Sequence, residues 1–286
     1  MKLKRAYSPG EVLNMKIPRF EFSGDWQASI GNPAKSGVWI IWGASGNGKS
    51  SFVMQLAKYL CGFGRVIYDS LEESTGLSFQ MSLKRHKMEE VRKKLIILDR
   101  ESMEQLEERL KRRGSPGIII IDSFQYSGLS YPAYKEFKER HPKKLFIFIS
   151  HAEGMHPAGR TARKVEYDAD VKIMVSCFKA WCKSRFMECP SEPYVIWEEG
   201  ASKTLKDDKV GAIGMEWENK LFQLLLPRDE AVSVVEDWAE RNIESDVRLR
   251  KAKTKGHVVI ETKDVMFARN IQVWHPSCKI NIKDLK

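Results

Sequence analysis

The eight residues GASGNGKS, positions 43–50, constrain the fold of this chain more than any other stretch. They fit the pattern G-x-x-x-x-G-K-[ST], and they lie between an apolar run, 37–43, and a helix-like run, 50–64, that ends at glycines. In this strand–loop–helix setting, glycines let backbone N–H groups turn towards phosphate oxygens at the N-terminus of the helix. The motif therefore predicts a phosphate-binding loop in an α/β fold.

Six short apolar runs predict the strands of a mostly parallel sheet. Most of them are apolar almost throughout, which is typical of strands that helices cover on both faces. The runs span residues 37–43, 65–70, 94–99, 117–122, 144–150 and 170–176. Helix-like segments separate them, among them 102–114, which begins with a candidate capping box. This alternation predicts an α/β sheet with helices on its faces and right-handed crossovers.

The pattern changes after residue 176, where shorter strands are predicted in FKAWCKSRF, YVIWEEG and KLFQLLLP, followed by a helix over 228–243. The first 36 residues contain several prolines and turn formers. We therefore expect an N-terminal arm over residues 1–36, an α/β core over 37–226 and a C-terminal extension of helix and strands over 227–286.

Charge and composition indicate which partners and which cellular compartment to expect. The formal net charge of +10 favours a polyanionic partner, because each phosphate contact releases counterions. No run approaches the roughly 18 consecutive apolar residues that a membrane span needs. The five cysteines show no zinc-like spacing. We expect a cytoplasmic protein with reduced thiols and no membrane partner.

The predicted loop also carries the side chains that a nucleoside triphosphate needs. Lys49 would reach the β- and γ-phosphates, and the Ser50 hydroxyl would ligate Mg²⁺. Asp122 ends the most apolar strand, so its carboxylate would emerge beside the loop on the magnesium side. Glu72 and Glu73 follow the strand over 65–70, and a carboxylate there could polarise an attacking water. These residues predict ATP and Mg²⁺ as cofactors, with the following loop residues in the nucleotide site: Gly43, Ser45, Gly46, Asn47, Gly48, Lys49, Ser50 and Ser51.

The order of these elements resembles the RecA-like ATPases, in particular the branch of DnaB-type replicative helicases and RadA (Sms) proteins. Over about residues 37–200 the chain carries SLEES, IIIIDSFQ, FISHAEG, DADV and KSRF in the order of that family's motifs. The resemblance implies that Glu72 activates water and that His151 senses the γ-phosphate. It also implies that Lys183 and Arg185 reach the ATP of a neighbouring subunit.

The same resemblance implies a partner. In RecA-like proteins two loops after the fourth and fifth core strands hold DNA, and their counterparts here are 123–144 and 151–170. The basic residues Arg160, Arg163 and Lys164 lie among small residues in the second segment, a composition suited to a mobile loop that tracks phosphates. We therefore expect an oligomeric ATPase, a ring or a filament, that acts on single-stranded DNA with replication or recombination proteins in a bacterial or phage context.

Two other functions stay open at this point. One is an ATP-driven signalling or assembly switch of the KaiC type, which would act on protein partners. The other is a nucleotide-binding module or a small-molecule kinase. A kinase lid should be rich in arginine, and the best candidate segment, 123–144, contains just Arg140. Stimulation of ATP turnover by substoichiometric single-stranded DNA would favour the DNA-dependent function over the switch.

Overall fold

The computed structural model describes residues 5–187, 192–206, 220–228, 247–252, 254, 256–262 and 279–284. The chain divides into two compact units, Met1–Ser202 and Lys203–Lys286, and each is described by itself. Residues 203–226, which the sequence analysis assigned to the core, fall in the second unit. Apart from Arg228, the helix predicted over 228–243 lies outside the described residues.

A nine-stranded sheet organises the first unit. Its order in space is β3-β2-β4-β5-β1-β7-β8-β9, and β6 pairs with β5 off this path. Pairing is parallel among β1 to β5 and β7, and antiparallel where β6, β8 and β9 join. The strands are β1 (Gly37–Gly43), β2 (Val66–Ser70), β3 (Leu95–Asp99), β4 (Ile118–Asp122), β5 (Leu145–Glu153), β6 (His156–Pro157), β7 (Val171–Ser176), β8 (Lys179–Ser184) and β9 (Tyr194–Val195). The mostly parallel α/β class predicted from the sequence is confirmed, as are its six core strands.

Helices flank this sheet, and the central strands are buried as covered strands should be: β1 is buried from Val38 to Gly43. The helices are α1 (Pro9–Leu13), α2 (Gly24–Ile30), α3 (Lys49–Leu60), α4 (Leu77–Arg85), α5 (Met103–Lys111), α6 (Tyr131–Arg140), α7 (Arg160–Asp168) and α8 (Glu198–Lys206). The candidate capping box is formed at the start of α5, where Ser102 and Gln105 each accept a hydrogen bond from the other's backbone N–H.

The N-terminal segment predicted as an arm contains a stretch that belongs to the hydrophobic core. Phe20, Phe22, Trp26 and Ile30 are buried there, because their apolar side chains pack against α3 and the sheet. By contrast, residues 5–17 are exposed throughout, including the short helix α1.

The strand order brings together the carboxyl ends of the strands that carry the predicted site residues. β5 lies between β1 and β4, so Gly43 at the end of β1 is paired with His151, and Ile149 is paired with Asp122 at the end of β4. On the far side of β4, Asp122 is paired with Ser70, the last residue of β2. The carboxyl ends of parallel strands meet at one edge of a sheet, which is where ligands bind in such folds.

The second unit contains a four-stranded antiparallel sheet in the order β11-β12-β10-β13. Its strands are β10 (Lys220–Pro227), β11 (Val247–Lys251), β12 (His257–Thr262) and β13 (Lys279–Asp284). Leu224, Leu226 and Ile260 are buried. The strand predicted in KLFQLLLP is confirmed as β10. Among the helices of the described ranges, none is long and apolar enough to cross a bilayer.

Candidate functional site

The loop between β1 and α3 has the backbone that phosphate binding requires. Gly46 and Gly48 have φ angles of +78° and +92°, in the region that favours glycine. Gly43 lies so close to the carbonyl oxygen of Val175 that an added methyl group would overlap it. Gly48 is also the N-cap of α3 and has no side chain to cap the first N–H groups of the helix. Those N–H groups are therefore available to phosphate oxygens.

The loop is anchored to the turn between β7 and β8. The Asn47 side-chain oxygen accepts a hydrogen bond from the Cys177 N–H at 2.9 Å, and the Asn47 carbonyl accepts one from the Phe178 N–H at 3.1 Å. The Asn47 amide also donates to the Ser45 carbonyl at 3.3 Å. Asn47, predicted as a nucleotide contact, thus holds the shape of the loop through its side chain.

The carboxyl group of Asp122 lies at the sheet edge, and the buried Tyr68 hydroxyl donates a hydrogen bond to it. Burial raises the pKa of Asp122 above its usual value, and the negative charge of Glu72 adds to that rise. The Tyr68 hydrogen bond and the positive charge of Lys49 oppose it. Burial and the neighbouring Asp122 also hold the pKa of Tyr68 well above its usual value. The electrostatics therefore couple Lys49, Asp122 and Glu72 into one cluster.

Glu72 lies on the solvent-accessible side of this cluster. The backbone N–H groups of Leu71 and Glu72 both donate to the Asp122 carbonyl, at 2.6 and 3.1 Å. The Arg100 guanidinium donates to the Glu72 carbonyl at 3.1 Å. The His151 Nε2 atom lies 3.3 Å from the Glu72 Oε2 atom, and these side chains are 41% and 31% exposed. Glu72 can therefore meet a ligand and solvent while its backbone stays fixed.

Gln125 connects this site to the segment before α7. Its side-chain amide donates to the Ser150 hydroxyl at 2.7 Å and to the Ala158 carbonyl at 3.0 Å. Its side-chain oxygen lies 3.4 Å from the His151 N–H. This role is not evident from the sequence, because glutamine near a strand end is common and its partners are distant in the chain.

The basic part of the segment predicted as a mobile loop, 151–170, is helical. Ala162 and Val165 are buried at helical spacing, so residues 160–168 form α7 instead of an open loop. Arg160 and Lys164 are exposed, and the Lys164 ammonium lies 5.5 Å from the centre of the Tyr131 ring. Arg163 is partly buried, and its guanidinium lies 3.9 Å from the Glu153 carboxylate.

Lys183 and Arg185 do not join the cluster of their own chain. Lys183 in β8 is paired with Lys172 near the start of β7, and the Arg185 guanidinium forms an ion pair with Asp170 at 3.1 Å. β7 meets the phosphate loop at its other end, beyond Ser176. At about 3.3 Å per residue, Lys183 is paired roughly 13 Å along β7 from that end.

The residues present suit Mg²⁺ and do not suit a metal held by the protein alone. In the ranges that the structure describes, no group of three or more His, Cys, Asp or Glu side chains could hold a metal ion. Mg²⁺ usually keeps several waters and takes one or two protein oxygens together with substrate phosphates. The Ser50 hydroxyl and the Asp122 carboxylate are oxygen donors of that kind.

Comparisons with known proteins identify distant structural likenesses. No protein-family model matches the sequence, and no curated protein matches it. The solved structure of the flagellar accessory protein FlaH from Methanocaldococcus jannaschii aligns with a TM-score of 0.42 and 19% identity, covering 59% of this chain and 88% of that chain. A second solved structure, that of an ATPase domain, aligns with a TM-score of 0.40 and 15% identity, covering 56% of this chain and 80% of that chain. The roles of the site residues must therefore be inferred from the geometry of the site itself.

Proposed function

We propose that this protein is an oligomeric, Mg²⁺-dependent ATPase of the DnaB/RadA type that couples ATP hydrolysis to single-stranded DNA in replication or recombination. One observation supports the ATPase above all others: a glycine-rich phosphate loop, Lys49, Asp122 and Glu72 converge at one edge of a parallel sheet. A loop that merely bound phosphate would not need a second, partly exposed carboxylate at that place.

The chemistry follows from the positions of these side chains. Lys49 and the loop N–H groups hold the β- and γ-phosphates of ATP. Mg²⁺, bound by Ser50 and Asp122, would neutralise charge on the phosphate oxygens. Glu72 orients a water and accepts its proton as the water oxygen bonds to the γ-phosphorus and the bond to the ADP oxygen breaks. His151, in contact with Glu72, senses the γ-phosphate and, through Gln125, links its loss to the segment before α7.

The ATPase assignment is tested by replacing Lys49. Without its ammonium group the transition-state charge loses its main protein partner, so we expect Lys49→Ala to lower ATP turnover by about 100-fold or more. The matched control is Lys111→Ala, which removes an exposed lysine paired with Glu108 on α5. Steady-state phosphate release measures both variants. Turnover near the wild-type rate in Lys49→Ala would refute the site.

The positive charge of the chain supports DNA as a binding partner. The formal net charge is +10, and Arg160 and Lys164 are exposed on α7, next to the segment that Gln125 ties to His151. Single-stranded DNA should therefore stimulate ATP turnover, and added salt should suppress that stimulation. The double variant Arg160→Glu and Lys164→Glu should keep basal turnover and lose the stimulation. Equal stimulation of variant and wild type would refute this role of α7.

A further inference from the structure

An aromatic pair lies directly beside the phosphate loop. The rings of Phe178 and Trp197 meet edge to face, with centroids 5.1 Å apart and planes 87° apart. A methyl group at Gly48 would lie 2.9 Å from the Phe178 Cδ1 atom, so this ring is in contact with the loop itself. At Gly200, in α8, an added methyl group would overlap Trp197 and lie 2.8 Å from the Phe178 Cδ2 atom. The α8 backbone therefore closes one side of the pair.

The pair is fixed in place and still accessible. The Phe178 N–H donates to the Asn47 carbonyl at 3.1 Å, and the Phe178 carbonyl accepts from the Ile196 N–H at 2.9 Å. Cys177 and Phe178 both have positive φ angles, +53° and +56°, in a turn where asparagine and glycine are usual. Even so, Trp197 is 48% exposed and Phe178 is partly exposed. Exposed aromatic surface is thus held rigidly next to the loop.

The direction of a bound triphosphate points its base at this pair. Asp122 and Glu72 lie at the ends of β4 and β2, on the β5 side of β1, whereas Phe178 follows β7, on the other side of β1. Hydrolysis requires the γ-phosphate to lie near Glu72. The α-phosphate, ribose and base must then leave the loop on the β7 side, where Phe178 and Trp197 lie.

We infer that Phe178 and Trp197 form the platform on which the base of the nucleotide stacks, an inference that rests on the proposed ATPase function. Stacking uses the face of the base and is tolerant of its identity, since every base has a π-face. A purine offers more ring area than a pyrimidine. The site therefore takes purine nucleoside triphosphates, with similar affinity for ATP and GTP and weaker affinity for CTP and UTP.

Calorimetry on the full chain can separate the base from the phosphates. The two probes are the Mg²⁺ complex of a non-hydrolysable ATP analogue and the Mg²⁺ complex of tripolyphosphate, which lacks ribose and base. Trp197→Ala should weaken binding of the analogue by roughly tenfold, since a stacking residue is lost, and should leave tripolyphosphate binding unchanged. Trp197→Phe should restore most of the affinity. Tyr167→Ala, which removes a 76% exposed aromatic from α7, is the matched control.

Each other outcome identifies what fails. If Trp197→Ala binds both probes as the wild type does, the platform is wrong and the phosphate site stands. If the variant loses both probes to the same extent, Trp197 supports the fold of the loop and the platform is again wrong. If the wild type binds neither probe, the proposed ATPase function fails together with the platform. Wild-type affinity for CTP and UTP that equals or exceeds the affinity for ATP and GTP would also overturn the platform.

Discussion

Tyr68, like Gln125, has a role at the site that the sequence motifs did not indicate. A tyrosine in a buried strand needs a partner for its hydroxyl, and here the partner is the carboxylate of Asp122. Groups that donate a hydrogen bond to a metal-ligating side chain fix its orientation, and their loss commonly lowers metal affinity or activity by about 10–100-fold. In the proposed ATPase, Tyr68 would therefore be a positioning residue for the magnesium side of the site.

Replacing Tyr68 by phenylalanine should make ATP turnover more dependent on Mg²⁺. The variant keeps the ring and leaves Asp122 without its hydrogen bond, so we expect the Mg²⁺ concentration for half-maximal turnover to rise by about tenfold. Tyr59→Phe is the control, because it removes a hydroxyl that accepts a hydrogen bond from the Ser23 N–H away from the site. An unchanged Mg²⁺ dependence in Tyr68→Phe would show that its hydroxyl plays no part.

Asp69, the next residue of β2, presents the opposite case, a buried carboxyl with incomplete partners. Its Oδ1 atom accepts a hydrogen bond from the Glu101 N–H at 3.3 Å, and its Oδ2 atom has no hydrogen-bond partner among the described residues. Burial raises the pKa of Asp69 from 3.8 to about 6. The Glu101 N–H and the charge of Arg109 lower this pKa, and the charges of Glu101 and Asp99 raise it.

This shift gives protein stability a defined pH dependence. Between about pH 4 and pH 6 the folded state holds a proton on Asp69 that the unfolded chain has released, so the free energy of unfolding falls as pH rises through this window. Asp69→Asn removes the ionisation and should stabilise the fold above pH 6 by on the order of 1–3 kcal/mol, with little change near pH 4. Urea unfolding at several pH values measures this. Parallel profiles for Asp69→Asn and wild type would contradict it; Glu21→Gln, at an exposed carboxyl, is the control.

At the scale of elements, the segment before β1 is held to the core by aromatic stacking. The ring of Trp26, in α2, lies 4.1 Å from the Tyr194 ring and 5.0 Å from the Tyr59 ring, centroid to centroid. Tyr194 belongs to β9 and Tyr59 to α3, so one side chain joins three elements that are far apart in the chain. Removal of this ring should loosen all three together.

Trp26→Ala should therefore destabilise the first unit strongly. Truncating a buried aromatic costs about 3–5 kcal/mol through lost burial and the cavity that remains, which lowers the melting temperature by roughly 10 °C in a protein of this size. The matched control is Leu13→Ala, because Leu13 in α1 is 85% exposed and its loss should be nearly neutral. Thermal unfolding followed by circular dichroism compares them. Equal melting temperatures for the two variants would show that α2 is not part of the cooperative core.

Local patterns predicted most of the elements, and long-range contacts account for what they did not predict. The six core strands could be read from apolar runs, and the loop from glycine spacing, because these signals lie within a few residues of each other. The burial of Phe20 depends on a partner in β1, and that of Trp26 on partners in α3 and β9, which no local pattern specifies. α7 was missed because glycine and charged residues around Arg160 masked its short apolar stripe.

At the scale of the whole molecule, the position of Arg185 bears on whether one ATP site is formed by one chain or by two. Its guanidinium is paired with Asp170 at the start of β7, and the phosphate loop of the same chain lies at the other end of that strand. If Arg185 contributes to hydrolysis, it must do so at the site of another copy. A head-to-tail interface of that kind generates a ring or a helical filament.

Mixing two inactive variants tests this arrangement directly. Glu72→Gln lacks the carboxylate that accepts the proton of the attacking water. Arg185→Ala lacks the guanidinium that would reach the ATP of the adjoining copy. Each variant alone should therefore have little ATP turnover. In a head-to-tail assembly formed from an equal mixture, about one site in four combines an intact Glu72 with an intact Arg185 from the adjoining copy. Turnover should therefore recover to about a quarter of the wild-type rate. Native mass spectrometry verifies that mixed oligomers form. If they form and the mixture stays as inactive as its components, Arg185 does not act at the site of an adjoining copy, because only a site shared between two chains can be rebuilt by subunit exchange.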